Sequence, residues 1–136
     1  MHGKLNCPCG CGLLLDEGVV NILYSLEREI QAKYRKDFEL YIASGARCEA
    51  YNKLQGGEPN SAHTLGLAAD PLIENSQIGA IAIKFILNMF NPNKIRMGYG
   101  LKNGSIIFHF DLAYSAPLKY PKGDMKTYPA PCFWGY

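Results

Sequence analysis

Apolar residues fall three and four apart in two stretches of the chain and every second position in several others. Val19, Leu23, Leu26, Ile30 and Tyr34 recur at helical spacing behind Asp16, a capping residue, and Glu17, an acid in the first turn. This predicts a helix at about residues 16–36, with Glu27, Arg28, Lys33 and Lys36 on its wet side. Phe38, Leu40 and Ile42 then alternate, which predicts a strand ending at the turn Ser44-Gly45. Ser76 is placed to cap a second helix, with Ile78, Ala82, Phe85 and Met89 on its inner face and Asn91-Pro92-Asn93 as its stop. Residues 67–73, 94–99 and 105–112 read as further strands, the last two joined through residues 100–104. In the last strand Ile106, Phe108 and Phe110 share one face and Ile107, His109 and Asp111 the other.

Between these elements, residues 45–66 hold Gly45, Gly56, Gly57, Pro59, Asn60 and Gly66 among polar residues and read as mostly irregular backbone. So long a loop inside a small domain is usually functional. The first fifteen residues read as a strand-and-turn lead-in, and the Pro- and aromatic-rich chain after Pro117 as a surface wrap. The order of elements predicts an α+β fold with a small antiparallel sheet packed with helices. With 136 residues, the chain has room for one domain, residues 1–136.

Charge narrows the partners. Fourteen Lys+Arg against twelve Asp+Glu give a formal charge of +2, with no basic block, so nucleic acid is not expected. The longest apolar stretch is broken by Lys84 and Asn88 and is too short to span a bilayer. Met1-His2-Gly3-Lys4 leads straight into Cys7-Pro8-Cys9-Gly10-Cys11, with no apolar segment of the secretory type, so synthesis in the cytoplasm without a signal peptide is expected. A monomer is expected.

Three histidines are available, and His2 lies at the terminus. His63 could be a loop histidine and His109 a buried, hydrogen-bonded strand histidine. Asp70 argues for more, because it sits in the apolar run from Leu67 to Ile73, where an unpaired carboxylate is costly. A divalent cation would satisfy it. Two histidines and a carboxylate are a zinc ligand set that leaves a fourth position open, as a catalytic zinc requires.

The stretch Ser44-Gly45-Ala46-Arg47-Cys48, Tyr51-Asn52, Gly56-Gly57, Pro59-Asn60-Ser61-Ala62-His63 and Gly66-Leu67-Ala68-Ala69-Asp70 resembles the zinc D-Ala-D-Ala carboxypeptidase family, peptidase family M15. The resemblance extends to Arg96-Met97-Gly98-Tyr99-Gly100 and Phe108-His109-Phe110-Asp111, and so covers nearly the whole chain. It implies the Hedgehog/DD-peptidase type of fold, with His63, Asp70 and His109 as zinc ligands. It also implies that Arg47 binds the substrate carboxylate and that Ser61 hydrogen-bonds substrate or orients a ligand. Several branches of the family carry an acid shortly before the last histidine, where this chain has Ile106 and no acid from Asn103 to Phe108. Asp111 is then either the general base or an acceptor that orients a ligand, and Tyr99 is a candidate donor to the developing oxyanion. Ala46 stands where the family has a large residue. Pro71 follows Asp70 where a β-branched residue is typical, so the strand should end there or lie at an edge.

The activity implied is hydrolysis of peptidoglycan stem peptides, as a D-Ala-D-Ala carboxypeptidase or as an endopeptidase. A phage endolysin reaching the wall by holin-type release or virion delivery fits the absence of a signal segment. The alternative is a non-catalytic module of the same fold that keeps zinc to recognise peptides or to build a virion. Cys7, Cys9 and Cys11 alternate, and an extended chain would put them on one face. With Cys48 or Cys132 they could hold a second, structural zinc, although CxCxC is not the CxxC of zinc ribbons.

Overall fold

The computed structural model describes residues 1–114, 130 and 132–136. Its strands are β1 (His2–Gly3), β2 (Tyr41–Ser44), β3 (Ala68–Pro71), β4 (Arg96–Lys102), β5 (Ser105–Asp111) and β6 (Cys132–Trp134). Its helices are α1 (Glu17–Lys33), α2 (Glu49–Leu54) and α3 (Ser76–Met89), with 3₁₀ turns at Ala62–Leu65 and Pro92–Lys94.

The two long helices form where the periodicity places them. Asp16 caps α1 through Oδ1, which accepts the Gly18 N–H at 2.8 Å. Val19, Leu23, Leu26 and Ile30 are fully buried along one stripe, each burial stabilising by about 1.5–3 kcal/mol. Glu27, expected on the wet side, is buried instead. Its carboxylate accepts the Leu40 N–H at 2.8 Å and meets the Met1 ammonium at 2.7 Å. Helix α3 is capped one residue earlier than expected, by Asn75, whose Oδ1 accepts the Ile78 N–H at 3.0 Å. It stops at Phe90, whose extended backbone precedes Asn91-Pro92.

The fold is α+β, but the sheet is neither small nor wholly antiparallel. Its six strands run in the order β1-β2-β3-β5-β4-β6, and the β1–β2 and β4–β6 pairs are parallel. Both outer strands come from the chain's ends and span two and three residues, too few for alternation to register in the sequence. The expected surface wrap after Pro117 falls mostly on residues outside the described set, and the described end contributes β6.

The loop expected at residues 45–66 is also more ordered than its composition suggests, since it contains α2 and a 3₁₀ turn. Six and four residues of helix carry no readable period, and their caps are local: Cys48 Sγ accepts the Tyr51 N–H at 3.4 Å. Asn52 braces the chain just beyond α2, donating from Nδ2 to the Glu58 carbonyl at 2.8 Å. A Cβ on Gly57 would collide with Asn52 Oδ1, so a side chain there would have to displace the Asn52 amide that makes this brace.

The two sheet faces have different tasks. Phe108 and Phe110 point into the apolar core with Met97, Ile78, Ala82 and Ile86. Register places Gly98 opposite His109 and Arg96 opposite Asp111 on β4, and Ala68 opposite Asp111 on β3. Cross-strand partners share a face, so Arg96, Asp70, His109 and Asp111 all stand on the side away from Phe108 and Phe110.

Candidate metal centre

Three separate elements deliver the centre. His63 rides on the 3₁₀ turn, Asp70 on β3 and His109 on β5. The turn is closed by Gly66, whose φ of +70° suits glycine and whose absent side chain lets the Leu14 carbonyl oxygen approach; a Cβ there would collide with it. The Gly66 carbonyl in turn accepts the Asp16 N–H at 2.8 Å, tying the turn to the start of α1. Strand β3 pairs with β5 at Ala68 and Ala69, then with β2 at Asp70 and Pro71, and ends at Pro71. Proline there costs no ladder bond to β5.

The donor atoms of His63, Asp70 and His109 lie within 4.8 Å of one another. His63 Nε2 is 3.3 Å and His109 Nδ1 2.8 Å from the same oxygen, Asp70 Oδ1. The outward nitrogens are both engaged. His63 Nδ1 lies 2.7 Å from the Gly45 carbonyl oxygen, and His109 Nε2 lies 2.9 Å from Asp111 Oδ2. With a proton on each outward nitrogen, the inward ones present lone pairs to a common point, as metal-binding histidines do. A neutral-His, carboxylate donor set of this kind fits zinc.

Electrostatics keep the carboxylates charged. Burial pushes Asp70 upward, but the charge and hydrogen bonds of His63 and His109 hold it well below the ordinary carboxylate range. Burial likewise opposes the ionised form of Asp111, and is outweighed by His109 and Arg96, which keep its carboxyl low. Burial presses His109 downward, yet its bonds to Asp111 and Asp70 raise it to about 9, so a metal bound there must displace the proton on Nδ1.

Asp111 is fully buried and its oxygens are occupied. Both accept from Arg96 Nε, at 3.1 and 3.0 Å; Oδ2 also meets His109, and Oδ1 takes the Ala113 N–H at 3.2 Å. The carboxylate holds His109 from behind and faces away from the metal-binding side of its ring. No further Asp or Glu joins the His63–Asp70–His109 cluster among the described residues.

Arg47 and Ser61 reach the neighbourhood through the same loop. The Arg47 N–H bonds to the His63 carbonyl at 3.0 Å, and Ser61 precedes the turn that carries His63. Arg47 Nε and Ser61 Oγ are both buried without a hydrogen-bond partner among the described residues. Unsatisfied buried polar groups are costly, and these two lie on the same loop as His63. Tyr99 is not brought to the cluster. It stands on the core face, its ring 6.2 Å from Phe108 and its hydroxyl packed so closely on Gly79 of α3 that a Cβ there would collide with it.

Three contributors to the centre carry little or no mark in the sequence. Arg96 stands out there only as the first residue of Arg96-Met97-Gly98-Tyr99-Gly100, and its buried pairing with Asp111 depends on cross-strand register. Gly45 acts through a carbonyl, which no sequence pattern marks. Trp134 covers the centre from β6, its ring 5.2 Å from His109 and 5.6 Å from the Arg96 guanidinium carbon. Gly98 makes room for it, since a Cβ there would collide with the indole Nε1. The glycine in an otherwise regular strand was the available signal for that close approach.

No helix among the described residues is long and apolar enough to cross a membrane. No curated protein and no solved structure matches the chain. The family model described as Peptidase M15 does match, over residues 9–111, a span that contains His63, Asp70, His109 and Asp111. With more than half its length matched by that model, the chain belongs to peptidase family M15, a zinc-dependent family.

Proposed function

We propose that the protein is a zinc peptidase that hydrolyses peptide bonds in the stem peptides of peptidoglycan, on a Hedgehog/DD-peptidase type of fold. The observation that carries this reading is the convergence of His63 Nε2 and His109 Nδ1 on one Asp70 oxygen, inside a chain of this family. Zinc held by His63, Asp70 and His109 would supply Lewis acidity, polarising the scissile carbonyl and acidifying water.

The chain's own residues orient and bind. Gly45 O and Asp111 fix the tautomer and angle of the two imidazoles. Arg47 offers a guanidinium fork to a peptide's terminal carboxylate, and its Nε has no acceptor among the described residues. Ser61 Oγ is the second donor without a partner among the described residues, suited to a substrate carbonyl or a ligand oxygen. Trp134 screens His109 and Arg96 from water. Asp111 acts here as the positioning residue for His109, because its lone pairs are already committed.

A carboxylate clamp favours cleavage next to a free C-terminus, the carboxypeptidase mode, over cutting within a cross-link. That no further acid joins the cluster among the described residues favours the alternative, a peptide-binding module that holds zinc without catalysis. Zinc-loaded protein incubated with intact peptidoglycan, with a chelator control and mass analysis of released stems, separates them. Chelator-sensitive loss of a terminal D-Ala supports the proposal, release of cross-linked fragments moves it to an endopeptidase, and no product from several wall types moves it to the binding module. A phage or prophage lysin delivered by holin or virion is the setting we propose for this activity.

A further inference from the structure

We infer that Cys7, Cys9, Cys11 and Cys48 form a second, structural zinc site that clips the N-terminal arm to the loop carrying Arg47. The four sulfurs lie within 4.8 Å of one another, with Cys7 to Cys9 at 3.3 Å and Cys9 to Cys48 at 3.5 Å. A tetrahedral zinc–thiolate site, with bonds of about 2.3 Å, needs sulfurs about 3.8 Å apart. The three N-terminal cysteines do not converge by lying along one face of a strand, as their alternation suggests. The chain turns, with Gly10 N–H on the Cys7 carbonyl at 3.4 Å and positive φ at Gly10 (+81°) and Gly12 (+90°). The fourth ligand comes from 37 positions beyond Cys11, as long-range ligands of small structural zinc sites do.

Backbone donors already face the sulfurs: Cys48 N–H lies 3.3 Å from Cys7 Sγ and Tyr51 N–H 3.4 Å from Cys48 Sγ. Such N–H groups stabilise the negative charge of thiolates. All five cysteines are free, and Cys132 stands apart on β6. The clip has a consequence for the first centre. Ala46 N–H bonds to the Leu5 carbonyl at 2.9 Å, and Gly45 packs so closely on the arm that a Cβ would collide with that same oxygen. The arm thereby holds the segment whose Gly45 carbonyl orients His63.

Metal analysis and cobalt(II) spectra of the whole chain test this. The intact protein should carry two zinc ions, and Cys9→Ser with Cys11→Ser should carry one while keeping its far-ultraviolet circular dichroism. Cobalt(II)-loaded His63→Ala with His109→Ala should retain the intense sulfur-to-cobalt charge-transfer band, as should Cys132→Ser, and the double serine variant should lose it. In that variant the Ala46 and Cys48 amides should exchange hydrogen faster. The inference is overturned if the cobalt form lacks the thiolate band, if the band depends on Cys132, or if the folded, metal-loaded protein contains disulfides among these cysteines. Wall hydrolysis can fail with the band intact, so the two centres are judged separately.

Discussion

His109 and Asp111 stand two positions apart on β5 and are joined by a bond of 2.9 Å from the imidazole Nε2 to Oδ2. The bond turns Nδ1 of the same ring toward Asp70 and leaves Asp111 no free lone pair in the cluster. In the function proposed here, a carboxylate that could have been a general base instead supports a candidate metal ligand.

Asp111→Asn should therefore lower zinc affinity about 10–100-fold without abolishing binding, whereas His109→Ala should abolish it at this centre. Asp111→Asn also breaks the buried ion pair with Arg96, so it should lower the stability of the fold as well. Zinc titration and urea denaturation of the two variants check both parts.

Arg47→Lys keeps the charge but loses the planar fork. Recognition of a substrate carboxylate should weaken by about 1.5–3 kcal/mol, roughly a tenfold to hundredfold fall in kcat/KM carried mostly by KM. Steady-state kinetics on stem peptides, compared with the same peptides amidated at the C-terminus, would show the variant's disadvantage vanish on the amides.

Tyr99→Phe should leave catalysis within about twofold, since the hydroxyl it removes faces Gly79 across the sheet from His109. A fall of about a hundredfold or more in kcat with zinc content unchanged would place the phenol in the reaction after all.

Gly45→Ala should impair zinc binding although residue 45 is no ligand. Its new methyl would collide with the Leu5 carbonyl and displace the oxygen that aligns His63. Metal content and thermal stability should fall together, and a variant with unchanged zinc affinity would contradict the role given to that carbonyl.

Acid should weaken the fold at Glu27. Burial pushes its carboxyl up, but the Met1 ammonium and the Leu40 N–H outweigh burial and hold it below the ordinary value. A depressed folded pKa gives stabilisation that is complete above the unfolded pKa, about 4.3, and is lost as pH falls through the folded one. Glu27→Gln should thus lower Tm at neutral pH, and the gap to the unaltered protein should close as pH drops below about 4. Thermal melts across that range would read it directly.

The sequence by itself determined the two long helices, the strand faces around Phe108 and His109, and the three metal-ligand candidates. Each of these rests on a local regularity: apolar positions at a fixed period, or His63 and Asp70 lying within one short motif. Tertiary structure decided whatever depends on register and on chain ends. Arg96 meets Asp111 only because β4 and β5 pair in one register, and the same pairing sends Tyr99 to the core face and out of the site. The parallel outer strands, Trp134 over His109, and Cys48 beside Cys7 and Cys9 each join residues far apart in the chain. Their energies come from contacts between distant segments, which leave no period behind them in the sequence.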